Sequence, residues 1–286
     1  MASGRFGVVN GMSTVENWNL SESKTADSYV ASNTYAGTVR GGGITRWSGS
    51  FNGKGAIPPV MPNESFLFEG YTAPDDGTEG SAGTVYGGQA IVSSVSINWD
   101  WTQNDILSWT VNFNGGTPAA PELTISTKTI PLDTTIPPTV SACGTVITYG
   151  ADIEIPALAS ATLTFTAALS SEVHSGTQCY ETWTPGALDW TLTANQQDYK
   201  RGVAGYPDLG DDLLLKVYTD QTDFWQLKFG KAQEYSGLTV DRSTGATISR
   251  TLNIAMQATD GLVIGNVVKP GDDPETTVYW GVTDTP

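Results

Sequence analysis

Long stretches of strictly alternating apolar and polar residues are what most limit how this chain can fold. Over residues 92–101, Val95, Ile97, Trp99 and Trp101 fall on one face and Ser94, Ser96, Asn98 and Asp100 on the other. Leu107, Trp109, Val111 and Phe113 alternate in the same way with Ser108, Thr110, Asn112 and Asn114. A period of two belongs to a strand with one face buried and one wetted. The turn-like residues Thr102, Gln103, Asn104 and Asp105 between the two runs predict a β-hairpin. Helical periodicity is scarce, and residues 24–35 are the one stretch where the pattern places a short helix.

The same pattern occurs twice. Ser108-Trp109-Thr110-Val111-Asn112-Phe113 matches Ser249-Arg250-Thr251-Leu252-Asn253-Ile254, and residues 97–100 match residues 238–241 at the same offset. Residues 47–52 match 190–195, and residues 66–72 match 213–219 at a slightly larger spacing. In a chain of 286 residues these offsets are close to half the length, which predicts a tandem duplication of one domain. The period is too long for a solenoid repeat or a propeller blade. The predicted organisation is a first β domain over residues 1–117, a Pro-rich linker or arm over 118–138, a second β domain over 139–265 and a C-terminal extension over 266–286. Within the linker, residues 123–127 still alternate and predict an ordered arm.

Charge narrows the function classes. The chain has 30 Asp and Glu against 14 Lys and Arg, a formal net charge of -16. Tight binding of nucleic acid through its phosphates needs clustered Lys and Arg, and this composition argues against it. No apolar run approaches the ~20 residues of a membrane-spanning helix. No apolar signal core follows Met1, so the chain is expected to be made and used without Sec export.

Residues that could carry chemistry are few. His174 is the only histidine, and the two cysteines, Cys143 and Cys179, both lie in the second half. One His with two distant thiols forms neither a catalytic triad nor a zinc site. Asp75, Asp76 and Glu79, the pair Asp211 and Asp212, and the pair Asp272 and Asp273 lack the spacing of calcium loops and read as solvated loop acids. The glycine clusters lack phosphate-loop spacing and read as turns. No enzyme activity, cofactor or metal is expected. Trp47, Trp99, Trp101, Trp109, Trp190 and Trp225 fall on the apolar faces of predicted strands and read as core; an exposed tryptophan platform for sugars is the sharper alternative.

Three features in this order carry a resemblance. They are the strand Trp47-Ser48-Gly49-Ser50-Phe51-Asn52-Gly53, the aliphatic strand around residues 66–72, and the terminal hairpin with Val95-Ser96-Ile97 and Trp109-Thr110-Val111-Asn112-Phe113. Together they resemble the major tail tube proteins of long-tailed, siphovirus-type bacteriophages, over residues 8–116 and more weakly 146–261. The resemblance implies two tandem β-sandwich or half-barrel domains per chain, all-β, that complete a multi-chain β-barrel on assembly. It implies a homotrimeric ring, rings stacked into a hollow tube, and double-stranded DNA passing through during ejection without specific binding. Tape measure, tail terminator and distal tail proteins are the further partners implied, with no membrane. The location implied is the virion tail, after synthesis in the host cytoplasm. The second copy departs from the pattern, with Arg250 in place of Trp109.

On that reading the polar faces of the hairpins line the lumen: Ser94, Ser96, Asn98, Asp100, Ser108, Thr110 and Asn112 in the first copy, and Thr239, Asp241, Ser249, Thr251 and Asn253 in the second. Alternation turns Arg250 away from that lining, while Lys216 is expected to face the lumen or a neighbouring ring. The other reading is a tandem β-sandwich adhesion or carbohydrate-binding protein, which would stay small and bind glycans.

Overall fold

A computed structural model describes residues 15–29, 39–54, 60–72, 82–103, 106–129, 145–149, 153–155, 157–177, 179–198, 212–218, 224–242, 248–256 and 266–268. These residues are all-β; a single 3-10 turn at Ser175–Thr177 interrupts them. The first half contributes β1 (Val15–Lys24), β2 (Asp27–Tyr29), β3 (Val39–Gly41), β4 (Thr45–Lys54), β5 (Ser65–Tyr71), β6 (Ala82–Asp100), β7 (Ser108–Gly115) and β8 (Thr124–Thr129). The second contributes β9 (Thr145–Tyr149), β10 (Ile153–Glu154), β11 (Leu158–Glu172), β12 (Thr182–Asp198), β13 (Asp212–Tyr218), β14 (Phe224–Arg242), β15 (Ile248–Met256) and β16 (Asn266–Val268).

From the N-terminal part of β14 the antiparallel sheet continues through β13 and β9 to β10; its main run of eight strands is β1-β4-β7-β6-β11-β12-β15-β14. Its first four strands and its last four repeat one order. Register makes the repeat explicit. Trp18 faces Phe51 across β1 and β4, and Ala161 faces Ala194 across β11 and β12, each residue 143 positions after its counterpart. Gly49 faces Phe113 across β4 and β7, and Leu192 faces Ile254 across β12 and β15. Two irregularities recur as well. A break between Val15 and Asn17 in β1 has its counterpart between Leu158 and Ser160 in β11. A bulge between Val92 and Ser94 in β6 has its counterpart between Tyr235 and Gly237 in β14. Bulges fix twist and register, so their repetition at matched positions carries the duplication further than sequence identity does.

Register also corrects two of the sequence alignments. Ile97 faces Trp109, and Val240 faces Arg250, so the counterpart of Ile97 is Val240, not Leu238. The turn between the hairpin strands is two residues shorter in the second copy, which breaks a constant offset. Tyr71 faces Val85 and Leu214 faces Lys228, so the aliphatic strands correspond at 143, not the 147 that residue similarity suggested.

Strands β6 and β14 are each 19 residues long and serve two layers. The C-terminal part of β6 pairs with β7 and β11, while its N-terminal part pairs with β5 and β8. In β14 the matching N-terminal part pairs with β13 and β16. β5 folds over the apolar face of β4 and β7. Phe66 meets Phe113 edge-on at 5.6 Å between centroids, and Phe51 meets Trp109 at 5.9 Å. One buried cluster spans both halves, from Trp47, Phe51, Val95, Ile97 and Trp109 to Leu163, Phe165, Trp190 and Leu192.

The expected ordered arm is present as β8, paired along β6 with all six residues exposed. The expected helix over residues 24–35 is not. Lys24 ends β1, and Asp27–Tyr29 forms β2 against β3; residues 30–35 lie outside the described residues. The backbone of Thr25 is tied to Ile44 at 3.0 Å, and such long-range pairing outweighs the weak helix propensity of this Ser- and Thr-rich stretch. Strands β4 and β12 extend well beyond the six-residue segments read from sequence.

Candidate functional site: a continuous polar wall

Alternation in β6 and β7 does in three dimensions what the sequence pattern predicts. Val95, Ile97, Trp99, Trp109, Val111 and Phe113 are buried. Ser94, Ser96, Asn98, Asp100, Ser108 and Thr110 are half-exposed, and Asn112 is exposed. These seven polar residues of the first copy therefore share one face of the main sheet. Register places Thr239, Asp241, Ser249, Thr251 and Asn253 on the continuation of that face in β14 and β15, since Thr239 faces Thr251 and Asp241 faces Ser249.

What the sequence reading missed is how the two hairpins are joined. β11 pairs directly with β6, with Thr162 opposite Asn98, Thr164 opposite Ser96 and Thr166 opposite Ser94. β12 then carries Thr191, Thr193 and Asn195 on the same exposed face, while Trp190, Leu192 and Ala194 are buried. Alternation in residues 158–166 and 190–195 was the available signal, but strand order cannot be read from it.

Short polar side chains bond to one another across successive strands. Asn19 Nδ2 donates to Ser50 Oγ at 2.6 Å, and Asn112 Nδ2 donates to Ser94 Oγ at 2.9 Å. Ser96 and Thr164 hydroxyls share a bond of 3.2 Å, and Thr162 Oγ1 donates to Asn98 Oδ1 at 2.9 Å. Asn195 Nδ2 donates to Ser160 Oγ at 2.9 Å, and Thr251 Oγ1 donates to Asn195 Oδ1 at 3.0 Å. Self-paired side chains of this kind hold one another flat and have less hydrogen-bonding capacity left for a ligand.

Charge on the wall is sparse. Lys54 pairs with Glu16 at 3.4 Å and Arg46 Nε with Glu181 at 2.9 Å, so both cations are neutralised. Asp100 and Asp189 have no cationic partner among the described residues. The Asp100 carboxylate is already engaged: Thr102 Oγ1, Thr102 N and Gln103 N donate to its Oδ1 at 2.6, 2.9 and 3.2 Å. The Thr102 hydroxyl bond, with the backbone bonds behind it, holds this carboxyl below the usual aspartate value.

The remaining candidates fall elsewhere. Trp47, Trp99, Trp109 and Trp190 are buried and present no platform; Trp101 stacks on Trp99 at 6.4 Å. The side chains of Trp225, Arg250 and Lys216, and the acids at 75, 76, 79, 211, 272 and 273, lie outside the described residues. By register Arg250 sits opposite Gln196, a buried position, and so on the face away from the polar wall. Cys179 is an exposed free thiol, and Cys143 lies outside the described residues. His174 is exposed in the turn after β11, where its Nδ1 accepts from Gly176 N at 3.1 Å. Among the described residues no three His, Cys, Asp or Glu side chains converge as metal ligands. No protein-family model matches the chain, and no curated protein matches it.

Proposed function

We propose that the chain is the structural subunit of a bacteriophage tail tube, in which three copies close a ring and stacked rings form a conduit for double-stranded DNA. The observation that carries this reading is the polar wall. It runs across the main sheet through both copies, by register in β14 and β15, and among the described residues β1 and the C-terminal part of β14 are each paired on one side only. A sheet with a finished core on one face, a wetted wall on the other and two open edges has what an arc of a barrel requires, and closing it with further copies removes the open edges.

Size is consistent with such a conduit. Three arcs of eight strands, at about 4.8 Å per strand and a tilt of about 40°, give a backbone diameter of about 48 Å. That leaves room for a duplex inside the side chains. A wall of small neutral groups with scattered acids gives phosphates nothing to grip, so DNA slides. The chain acts without catalysis or cofactor on this reading. It meets a tape measure protein inside the tube and terminator and distal tail proteins at its ends. It resides in the virion tail after assembly in the host cytoplasm.

Negative-stain microscopy and native mass spectrometry of the purified chain test the proposal. The expected result is rings of three chains with pseudo-sixfold outline, and tubes built from them. A monomer under every condition, or rings of six full chains, overturns it.

A further inference from the structure

The internal seam between the two copies is a template for a seam between chains. β6, the last strand of the first four-strand unit, accepts β11, the first strand of the second. By the offset of 143, β14 is the counterpart of β6, and β1 is the counterpart of β11. Among the described residues, the C-terminal part of β14 has β15 on one side and nothing on the other, and β1 has β4 on one side only. The molecule thus carries one donor edge and one acceptor edge of a junction it has already made once. A head-to-tail contact of this kind joins unlike edges and repeats, and it closes a ring where the rotation from one copy to the next closes.

We propose that β1 of one copy pairs antiparallel with β14 of the next in the register of the internal seam. The partner is a second copy of this chain, and the inference rests on the ring-forming reading above. The internal pairs Thr162 with Asn98, Leu163 with Ile97, Thr164 with Ser96 and Phe165 with Val95 become four intermolecular pairs. These are Asn19 with Asp241, Leu20 with Val240, Ser21 with Thr239, and Glu22 with Leu238.

Face parity provides a check that the transfer itself does not build in. Asn19 hydrogen-bonds to Ser50 on the polar wall, and Asp241 faces Ser249 on the same wall. Leu20 packs against the buried cluster, and Val240 occupies the register position of buried Ile97. At these two pairs polar meets polar and apolar meets apolar, and a slip of one residue sets Leu20 against Asp241; Glu22 opposite Leu238 is the pair that departs from this match. Backbone pairing supplies the adhesion, as in strand addition generally.

The two seams differ in one respect that bears on assembly. The core side of the internal seam is made by Val95, Ile97, Ala161, Leu163 and Phe165, all 4% exposed or less. In the external seam the position of Phe165 is taken by Glu22 and that of Trp99 by Arg242. The external junction is less apolar and is the one that comes apart, which leaves the chain intact as a building block.

Cysteine pairs read the register directly, in a background where Cys143 and Cys179 are replaced by Ser. Asn19→Cys with Asp241→Cys is the in-register pair, and Leu20→Cys with Val240→Cys is a second pair of the alternate geometry. Asn19→Cys with Gly237→Cys is the control, four residues out of register. Under mild oxidation at least one in-register pair is expected to crosslink chains tenfold or more faster than the control, in a ladder that stops at three. Rings in the micrograph with equal or faster crosslinking of the control overturn the register but leave the tube reading standing. Crosslinked open chains without rings keep the seam and overturn the tube. Neither rings nor crosslinks overturns both.

Discussion

Gly115 sits where the sheet leaves no room for a side chain. A Cβ placed there would lie 1.8 Å from Trp47 Cδ2. The indole cannot withdraw easily, because Trp47 Nε1 donates to Pro121 O at 3.1 Å and the ring packs on Phe113. Gly115→Ala is therefore expected to cost about 3 kcal/mol by overpacking, read as a lower midpoint in urea. The sequence shows Gly115 as half of a turn-like Gly-Gly pair. Its role depends on a tryptophan 68 positions earlier, which no local pattern reveals. Tyr71 is a second case. It is buried, its hydroxyl donates to Glu69 Oε2 at 3.0 Å, and Lys128 on β8 pairs with the other oxygen of Glu69. Burial first, then the hydrogen bond and the charge of Glu69, push the Tyr71 hydroxyl up to about 12. The folded state thus holds a proton that the unfolded chain releases near pH 10. Its stabilising contribution is complete below about pH 10 and is lost as pH rises towards 12. In thermal melts at a series of alkaline pH values, Tyr71→Phe is expected to flatten that decline, and an unchanged slope would remove Tyr71 as its cause.

At the scale of elements, what the sequence disclosed well was each strand's face, and what it disclosed poorly was each strand's neighbour. Alternation identifies buried and wetted faces because burying a large aliphatic contributes roughly 1.5–3 kcal/mol and a one-residue slip forfeits it along the whole strand. The pairing of β6 with β11 has no local signal, since residues 94–100 and 160–166 are joined only through the third dimension. Long-range pairing also overrides the helix expected over 24–35 in its described part, residues 24–29. The offsets at Leu238 and Leu213 are misplaced because bulges and turn lengths, which residue similarity does not show, set register. One clamp across the halves is testable. Asn63 Nδ2 donates to Gly186 O at 2.7 Å, and Gly186 N donates to Asn63 Oδ1 at 3.1 Å. Asn63 also adopts a left-handed backbone with φ of 72°. Asn63→Gly loses the clamp alone, while Asn63→Ala loses the clamp and adds backbone strain. Ala is expected to be the less stable of the two by about 1 kcal/mol in chemical denaturation. Equal stabilities would mean that the backbone relaxes and the strain is not held.

For the whole molecule the open question is whether the acidity serves the wall or only solubility. A net charge of -16 would repel copies of the chain from one another as well as from DNA, so the location of the acids decides. Asp100 is a poor probe, because its carboxylate holds the turn after β6 and its replacement would disturb the hairpin. Asp189 is better. It is exposed, it faces Thr166 across β11 and β12, and Thr191 beyond it continues the wall. Asp241 takes the corresponding role in the second hairpin by register with Ser249. On the proposed tail-tube reading, Asp189→Lys with Asp241→Lys, introduced into an infection-competent particle, is expected to leave tubes assembled and to slow DNA ejection. Each new ammonium adds a phosphate contact, and such contacts weaken steeply as salt rises. The slowing should therefore be strongest at low ionic strength and fade towards higher salt. Wild-type ejection at low salt, in tubes where both lysines are shown to face the channel, would assign the acidity to solubility alone. A slowing that salt does not relieve would point to a distorted wall instead of an electrostatic one, and the two outcomes separate on the same salt series.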